Sequence, residues 1–307
     1  MEDVVVLDQV SKSYKGFKLD RVSFSLKKGF IHGLIGRNGA GKTTTIKLMM
    51  DLIRPDEGTI RIFGLDNRRH GKEIRQRIGF VYAENPFYGD LTVENMKRVV
   101  ASFYKNWDEG AFRRYLKLFD LPANKKIKHL SKGMKMKFSI ALALSHNADL
   151  IIMDEPTSGL DPVVRREILE LMSEIIQDEN KTVLFSTHIT SDLEQVADTI
   201  TLIHDGKIRF SLPKDEVQEK YVLVKGGTDL LDPDTRKPFV GLRETPVGFE
   251  GLSGKPKEVR ALFGDRVIYE KPTLEDIMVY MIKFGENRGG TPRCGASCIK
   301  NSWRSER

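Results

Sequence analysis

Short apolar runs alternate with longer segments of helical spacing along the first two thirds of the chain. The apolar run at 30–35 (FIHGLI) stops at a glycine-rich turn, and the segment at 43–53 that follows has helical spacing. Residues 149–153 (DLIIM) are continuously apolar, which suits a strand covered on both faces in a parallel sheet. Further elements are predicted as strands at 4–10, 22–26, 59–64, 78–82, 182–186 and 199–204, and as helices at 162–178 and 190–197.

This alternation of strands and helices predicts an α/β domain with a mostly parallel sheet. We assign the domain to 1–215. Within it, the region at about 86–146 is mostly helical in spacing, with segments that read LTVENMKRVVASFY, DEGAFRRYLKLF and KMKFSIALALS. The pattern therefore predicts a helical subdomain inserted into the α/β domain.

The composition changes after a boundary helix predicted at 214–220. Residues 221–272 carry Gly and Pro among strand-like pieces, and Thr273–Asp276 resembles a helix N-terminal cap before IMVYMIKF. We therefore predict a small accessory α+β domain at 216–284. The end of the chain, 285–307, is polar and glycine-rich without periodicity, which predicts a disordered tail. The strand-like pieces within 221–272 read YVLV, FVGL and RVIY.

The chain is basic, with a formal net charge of +7 and a sequence pI near 9.2. Lys and Arg are scattered among acidic residues, so a solvated basic surface and attraction to acidic headgroups or nucleotides both stay open. No run approaches the roughly 18 apolar residues of a membrane-spanning helix. The acidic start lacks the apolar segment of a secretory signal. These features predict a protein that is made and kept in the cytosol.

A phosphate-binding loop is predicted at Gly36–Thr43, which reads GRNGAGKT and fits the pattern G-x-x-x-x-G-K-[ST]. Glycines let backbone N–H groups turn toward phosphate oxygens, and the N-terminus of the following helix adds a favourable dipole. Lys42 is expected to reach the β- and γ-phosphates, and Thr43 to ligate Mg²⁺. A chance glycine turn is the alternative, but it would not explain why a strand is predicted before the loop and a helix after it.

An acidic pair ends the apolar run at 149–153, where the chain reads DLIIMDE. A buried strand rarely ends in two adjacent carboxylates, because an unpaired buried charge is costly. A magnesium ion removes that cost. Asp154 is expected to hold Mg²⁺ and Glu155 to polarise the attacking water. A solvated loop start is the other interpretation of such a pair, and the phosphate loop in the same chain makes it the weaker one.

A third motif, Leu130–Met134 (LSKGM), stands before a helical segment and ahead of the acidic strand. Here the sequence resembles the ABC ATPase family, whose signature reads L-S-G-G-Q. Ser131 and Gly133 match their family positions, whereas Lys132 and Met134 depart from them. The resemblance implies that this segment binds the γ-phosphate of ATP held by a partner cassette. A simple helix cap is the alternative, since Ser is common before helices.

Other positions match the same family. Tyr14 resembles the aromatic residue that stacks on adenine, Ser158–Asp161 (SGLD) the loop that crosses to the partner site, and His188 the histidine that contacts the γ-phosphate. The family glutamine that follows the strand at 78–82 is missing, and Ala83 and Glu84 stand there instead. Glu84 is either a replacement magnesium ligand or a surface acid, and both interpretations stay open.

The resemblance covers about 4–215 and implies an α/β P-loop NTPase core with a mostly parallel sheet, an antiparallel β subdomain and an inserted helical subdomain. The accessory domain, a small C-terminal α+β appendage, resembles C-terminal extensions of some bacterial transport cassettes. The cofactors implied are ATP and Mg²⁺. The implied site residues are, for catalysis, Glu155, His188 and Lys42; for nucleotide binding, Tyr14, Gly36, Asn38, Gly39, Ala40, Gly41, Lys42, Thr43, Thr44, Ser131, Gly133 and Asp161; and for metal, Thr43, Asp154 and Glu84.

The function implied is that of an ATP-hydrolysing subunit of an ABC transporter, peripheral on the inner face of the cell membrane. Its partners would be a separate transmembrane permease subunit and a second ATP-binding subunit, identical or related. The sequence of residues 130–162 resembles that of exporter subunits, so export is preferred over import. A soluble ABC ATPase acting on nucleic acid or ribosomes is the alternative, although no nucleic acid is expected as a partner. A P-loop kinase or GTPase leaves the signature and His188 unexplained.

Overall fold

The computed structural model describes residues 2–82 and 86–284. By its internal contacts the chain divides into two compact units, with the division between Val217 and Gln218. Ala83 and Glu84, which stand where the family glutamine was expected, lie outside the described residues, and so does the predicted tail at 285–307. In the part of the chain that the structure describes, no helix combines the length and apolar character needed to cross a bilayer.

The first unit alternates strands and helices in the predicted order. Its strands are β1 (Asp3–Tyr14), β2 (Phe17–Lys27), β3 (Ile31–Ile35), β4 (Glu57–Ile62), β5 (Leu65–Asp66), β6 (Ile78–Val81), β7 (Leu150–Asp154), β8 (Thr182–Thr187), β9 (Thr199–His204) and β10 (Lys207–Pro213). Its helices are α1 (Lys42–Met49), α2 (Gly71–Gln76), α3 (Val93–Ala101), α4 (Glu109–Leu118), α5 (Lys132–Leu144), α6 (Pro162–Ile175) and α7 (Thr190–Val196), and α8 (Lys214–Lys220) crosses the division between the units.

A six-stranded sheet forms the centre of this unit, in the order β10-β9-β3-β8-β7-β6. All of its pairings are parallel except that of β10 with β9. Every residue of β3, β7 and β8 is buried, which explains why these strands lack alternation in the sequence. The mostly parallel sheet predicted from the sequence is confirmed. Because β3, β7 and β8 are neighbours, their carboxyl ends lie side by side at one edge.

A second, antiparallel sheet has the order β2-β1-β4-β5. Its long hairpin joins Tyr14 to Phe17, and its strands extend several residues beyond the predicted limits. Burial in β1 continues past the apolar residues to the polar Ser11, which is 2% exposed, so hydrophobicity alone predicted too short a strand. Apolar side chains of β1, β2 and β4 share one core with α1.

The inserted helices pack around a separate core. Val93 and Met96 of α3, Phe112 and Leu116 of α4 and Phe138 of α5 are buried together. The helices are amphipathic and capped: the side chains of Thr92 and Asp108 accept hydrogen bonds from the first-turn amides of α3 and α4. The subdomain therefore has its own packing.

As far as the structure describes it, to Phe284, the second unit has a four-stranded antiparallel sheet and two further α-helices. The predicted cap is confirmed, because Thr273 and Asp276 form a reciprocal capping box. The strand Gly248–Ser253 and the helix Pro256–Phe263 were not predicted, since two glycines weaken the first and the second is short. The elements are β11 (Val222–Gly226), β12 (Phe239–Thr245), β13 (Gly248–Ser253), α9 (Pro256–Phe263), β14 (Ile268–Glu270) and α10 (Leu274–Val279), followed by a π-helical turn at Tyr280–Phe284.

Candidate functional site

The phosphate loop leaves β3 and enters α1 along a path that only glycine permits at two points. A side chain at Gly36 would place its Cβ 2.4 Å from the carbonyl oxygen of Ile203. Gly41 has a φ of +114°, outside the range that residues with side chains readily adopt. The Ala40 carbonyl accepts from the amide of Gly206, which ties the loop to the turn between β9 and β10. The end of β9 and the turn after it therefore hold the loop in place.

The Lys42 side chain turns back into this loop and is buried, with only 6% of its surface exposed. Its Nζ donates to the carbonyl oxygen of Gly36 at 2.7 Å and lies 3.3 Å from that of Arg37. The same ammonium lies 3.0 Å from Glu155 Oε1. The loop lysine and the carboxylate after β7 therefore occupy one site, although 113 positions separate them in the chain.

Glu155 has a left-handed backbone, with a φ of +51°. Such a conformation is unfavourable for a residue with a side chain unless its surroundings hold it. The Glu155 amide donates to the backbone oxygen of Ser186 at 3.0 Å, and Glu155 Oε2 lies 2.7 Å from His188 Nδ1. Oε1 is buried and makes no hydrogen bond within the described residues, and its charge is balanced by the ion pair with Lys42.

Asp154, the last residue of β7, is 2% exposed and bonded through both carboxylate oxygens. Thr43 Oγ1 donates to Oδ2 at 2.9 Å, and Ser186 Oγ donates to Oδ1 at 2.5 Å. A threonine hydroxyl that donates its proton to Asp154 keeps its oxygen lone pairs for a cation. Hard oxygen donors, few in number, are what Mg²⁺ takes from proteins when phosphates supply the rest. Thr43 and Asp154 therefore fit a magnesium site.

The predicted adenine platform lies on the hairpin between β1 and β2. Tyr14 is 47% exposed there. Its cross-strand partner Phe17 lies next to the phosphate loop, because a Cβ on Gly41 would be 3.1 Å from Phe17 Cζ. Sequence matching had selected Tyr14 alone, and Phe17 is a second aromatic candidate beside the loop.

The signature segment begins α5. Ser131 caps this helix, accepting from the amide of Met134 at 3.2 Å. Gly133 faces α6, since a Cβ there would lie 3.1 Å from Val164. Asp161 caps α6 by accepting from the amides of two residues in its first turn, at 3.1 Å each. Ser131 therefore does cap a helix, as the alternative interpretation held, and its hydroxyl lies at the N-terminus of α5.

The structure therefore gathers Lys42, Thr43, Asp154, Glu155 and His188 into one cluster, and it groups the signature with the start of α6. Sequence reasoning missed Ser186, which bonds to both acidic residues of the cluster. Its signal was available as a hydroxyl inside the apolar run TVLFST.

Comparison with known proteins agrees with this geometry. Residues 19–158 match the family model described as ABC transporter. The bacitracin transport ATP-binding protein BcrA of Bacillus licheniformis is 35% identical over 223 residues, covering 72% of this chain and 73% of that protein.

Two solved structures are also similar. An ATP-binding subunit of an ABC transporter has a TM-score of 0.64 at 30% identity, covering 70% of this chain and 92% of the other. A dimeric ATP-binding cassette, MJ0796, in a post-hydrolysis state with ADP and Pi, has a TM-score of 0.61 at 28% identity, covering 68% and 98%. With its phosphate loop, acidic strand end and His188 in one cluster and with this similarity along most of its relatives' length, the chain belongs to the ATP-binding subunits of ABC transporters.

Proposed function

We propose that this subunit hydrolyses ATP with Glu155 as the general base and that the hydrolysis drives transport through separate membrane subunits. The observation that carries the proposal is the position of one carboxylate between Lys42 Nζ, at 3.0 Å, and His188 Nδ1, at 2.7 Å. Lys42 would hold the terminal phosphate, His188 would orient Glu155 and contact the γ-phosphate, and Glu155 would take the proton of the attacking water. Phosphoryl transfer of this kind depends mainly on positioning and charge neutralisation.

Thr43 and Asp154 are the residues that would hold Mg²⁺. When bound, Mg²⁺ would supply neutralisation of the charge on the β- and γ-phosphate oxygens. Ser186 would keep the Asp154 carboxylate in position through its 2.5 Å hydrogen bond. Glu84 stays a candidate for a further ligand on the sequence alone, since it lies outside the described residues.

The metal assignment predicts that Asp154→Asn lowers the gain in ATP affinity that Mg²⁺ provides by about tenfold or more. Asparagine keeps the shape but loses the charge that attracts the cation. The measurement compares ATP dissociation constants in Mg²⁺ and in EDTA for both proteins. Asp149→Asn, at a partly exposed position immediately before the same strand, is the matched control and should keep the gain. An unchanged gain in Asp154→Asn would exclude Asp154 as a ligand.

We further propose that two cassettes close around two ATP molecules, with Ser131 and Gly133 of one chain facing the phosphate loop of the other. The hydroxyl of Ser131 and the N-terminus of α5 would bind the γ-phosphate. Asp161 and its loop would cross between the two sites, and Tyr14 with Phe17 would flank the adenine. The dimeric form of the similar MJ0796 cassette supports this arrangement.

A groove beside α2 is our candidate docking surface for the membrane partner. This basic groove has a volume of about 820 Å³ and lies between α2 and the segment that follows α3. Gln76 bridges its two sides, donating to the Phe103 carbonyl at 2.8 Å and accepting from the Lys105 amide at 2.9 Å. The groove is lined by Lys72, Glu73, Arg75, Gln76, Arg77, Phe103, Tyr104 and Lys105.

The chemistry of the basic groove favours an acidic segment with an apolar residue. Phe103 is 70% exposed, and Tyr104 is held behind it by stacking on His146 at 3.7 Å. Arg77 is neutralised by Asp149 at 2.6 Å. Arg75 also lies within 3.9 Å of a carboxylate, that of Asp51. The exposed charges that would meet a partner are therefore those of Lys72 and Lys105.

Reversing two of these charges tests the docking surface. Lys72→Glu/Lys105→Glu should reduce the amount of membrane partner that co-purifies by about tenfold, because like charges would then face each other. The ATPase activity of the isolated subunit should stay unchanged. Lys117→Glu/Lys125→Glu, with the same change in net charge on exposed positions of the helical insert, is the matched control. Equal co-purification by both double variants would contradict the proposal.

Export is the direction that we propose, because the sequence of residues 130–162 resembles that of exporter subunits and the chain is similar to a bacitracin transport protein. The test is to purify the tagged subunit from its own cells in mild detergent and to identify what accompanies it. A protein with several membrane spans is expected, and the reconstituted pair should move cargo away from the ATP-containing side. A complex with RNA or ribosomes and no membrane protein would overturn the transport proposal.

A further inference from the structure

A buried carboxylate that plays no part in the mechanism above lies in α7. Asp192 is 1% exposed. One of its oxygens accepts from Thr157 Oγ1 at 2.6 Å, and the other accepts from Arg165 Nε at 2.5 Å. Arg165 also reaches Ser191 Oγ, at 2.9 Å. A buried charge is retained only when it is paired and hydrogen-bonded, and here both requirements are met by two other segments of the chain.

The hydrogen bond between Thr157 and Asp192 joins the two segments that carry the proposed catalytic pair. Thr157 follows Glu155 by two positions, and Asp192 follows His188 by four. The Thr157–Asp192 bond of 2.6 Å is therefore a second connection beside the Glu155–His188 contact of 2.7 Å. We call the three side chains of Thr157, Arg165 and Asp192 the Asp192 link.

The Asp192 link also reaches the loop at 158–161. Thr157 immediately precedes this loop. Arg165 lies in the first turn of α6, and its amide donates to the carbonyl of Asp161 at 3.0 Å. One buried carboxylate thus connects both ends of the loop to the start of α7.

The catalytic pair needs such support for a physical reason. Glu155 has the unfavourable φ of +51°, which persists only where neighbouring structure holds it. His188 is 39% exposed, so packing alone does not restrain its ring. A single contact between two rotatable side chains leaves their positions loosely determined, and small displacements of catalytic groups cost large factors in rate.

We propose that Asp192 is a positioning residue for ATP hydrolysis, which holds the Glu155–His188 pair and the loop at 158–161 in register through Thr157 and Arg165. It touches none of the reacting atoms. The inference rests on the proposed roles of Glu155 and His188.

The decisive variant is Thr157→Val, which replaces one hydroxyl by a methyl group of similar size and keeps the Arg165–Asp192 ion pair. It should lower kcat by about tenfold and leave the ATP dissociation constant within twofold of the parent. Thr157→Ser, which restores the hydroxyl, should recover kcat to within about threefold. Because the valine leaves one Asp192 oxygen without its donor, Tm should fall, so kcat is measured at a temperature where circular dichroism shows equal folded fractions.

A second variant separates positioning from stability. Replacing the whole link by apolar residues, in Thr157→Val/Arg165→Met/Asp192→Leu, removes the buried charge together with its partners, which proteins often tolerate without loss of stability. The expected result is a folded protein that binds ATP and has the low kcat of Thr157→Val. Arg166→Met/Glu170→Leu removes an exposed ion pair from the same helix and should leave kcat unchanged.

A normal kcat in Thr157→Val at equal folded fraction would overturn the inference and would assign the link to stability alone. So would a loss that Thr157→Ser fails to recover. Failure of the proposed function is distinguishable, because it would appear as full hydrolysis by Glu155→Gln, whatever the Thr157 variants do.

Discussion

Replacing Glu155 with glutamine is expected to lower the rate of ATP hydrolysis at least about 100-fold while ATP binding persists. General bases contribute roughly 10²- to 10⁴-fold to the rates of reactions that they assist. Glutamine keeps the shape and the contact with His188 but cannot accept the proton of the attacking water. The side chain is only 15% exposed, so bulk solvent does not easily substitute for it. Phosphate release under saturating Mg²⁺-ATP measures the rate, and equilibrium binding of a fluorescent ATP analogue measures the affinity.

The same variant should collect as a dimer when ATP is added, because binding closes the two cassettes and hydrolysis normally reopens them. Size-exclusion chromatography with and without ATP is the measurement. Glu170→Gln is the matched control, since this glutamate is exposed on α6 and forms only a surface ion pair. Hydrolysis by Glu155→Gln at the parent rate would refute the assignment of the base. A monomer with bound ATP would instead refute the closed dimer.

Replacing Lys42 with methionine is expected to weaken ATP binding about 100-fold, because truncating one partner of a buried charge pair costs about 2–5 kcal/mol. Lys42 is buried and donates to the Gly36 carbonyl at 2.7 Å, so its ammonium is already aimed into the loop. Methionine keeps the length of the apolar stem and removes the charge. The change also leaves Glu155 Oε1, which lies 3.0 Å from Lys42 Nζ, as an uncompensated buried carboxylate. Isothermal titration calorimetry with Mg²⁺-ATP gives the dissociation constant.

The rise in Tm that ATP produces is an independent readout, since a ligand at concentration L that binds only the folded state stabilises it by RT ln(1 + L/Kd), which vanishes when L is far below Kd. The rise should disappear in Lys42→Met at ATP concentrations that saturate the parent. Lys47→Met, in the last turn of the same helix, controls for the loss of one positive charge from α1. ATP binding by Lys42→Met within threefold of the parent would exclude Lys42 from the phosphate site. Together the two variants should separate binding from chemistry, since Lys42→Met loses both and Glu155→Gln loses only hydrolysis.

Much of the first unit was predictable because its signals are local. Gly41 needs a φ of +114°, so the glycine at this position of the loop reflects a backbone constraint that acts over a few residues. The buried strands β3, β7 and β8 were recognisable as short apolar runs. In the second unit only the capping box at Thr273 was equally clear.

Other features escaped because their causes are not local. Ser11 is polar but buried in β1, so this strand continues beyond the apolar residues from which it was predicted. The helix after the phosphate loop ends at Met49, earlier than its spacing suggested, and Asp51 just beyond it has a φ of +54°. Propensity is a weak prior that tertiary packing overrides, and both deviations are of that kind.

The sequence by itself determined the family, the order of the nucleotide-binding motifs and the residues to be tested as phosphate, metal and proton ligands. This was possible because a glycine turn, a strand-end carboxylate or a helix start is each encoded by a few consecutive residues. Only the tertiary structure decided that Ser186 bonds to the acidic pair, that Phe17 lies beside the loop, and that Asp192 joins Thr157 and Arg165. Ser186 and Asp192 lie 27 to 35 positions from these partners, and Phe17 lies 24 positions from Gly41. The pairing of β7 with β8 and the packing of α6 against α7, which no single segment encodes, bring Ser186 and Asp192 to their partners.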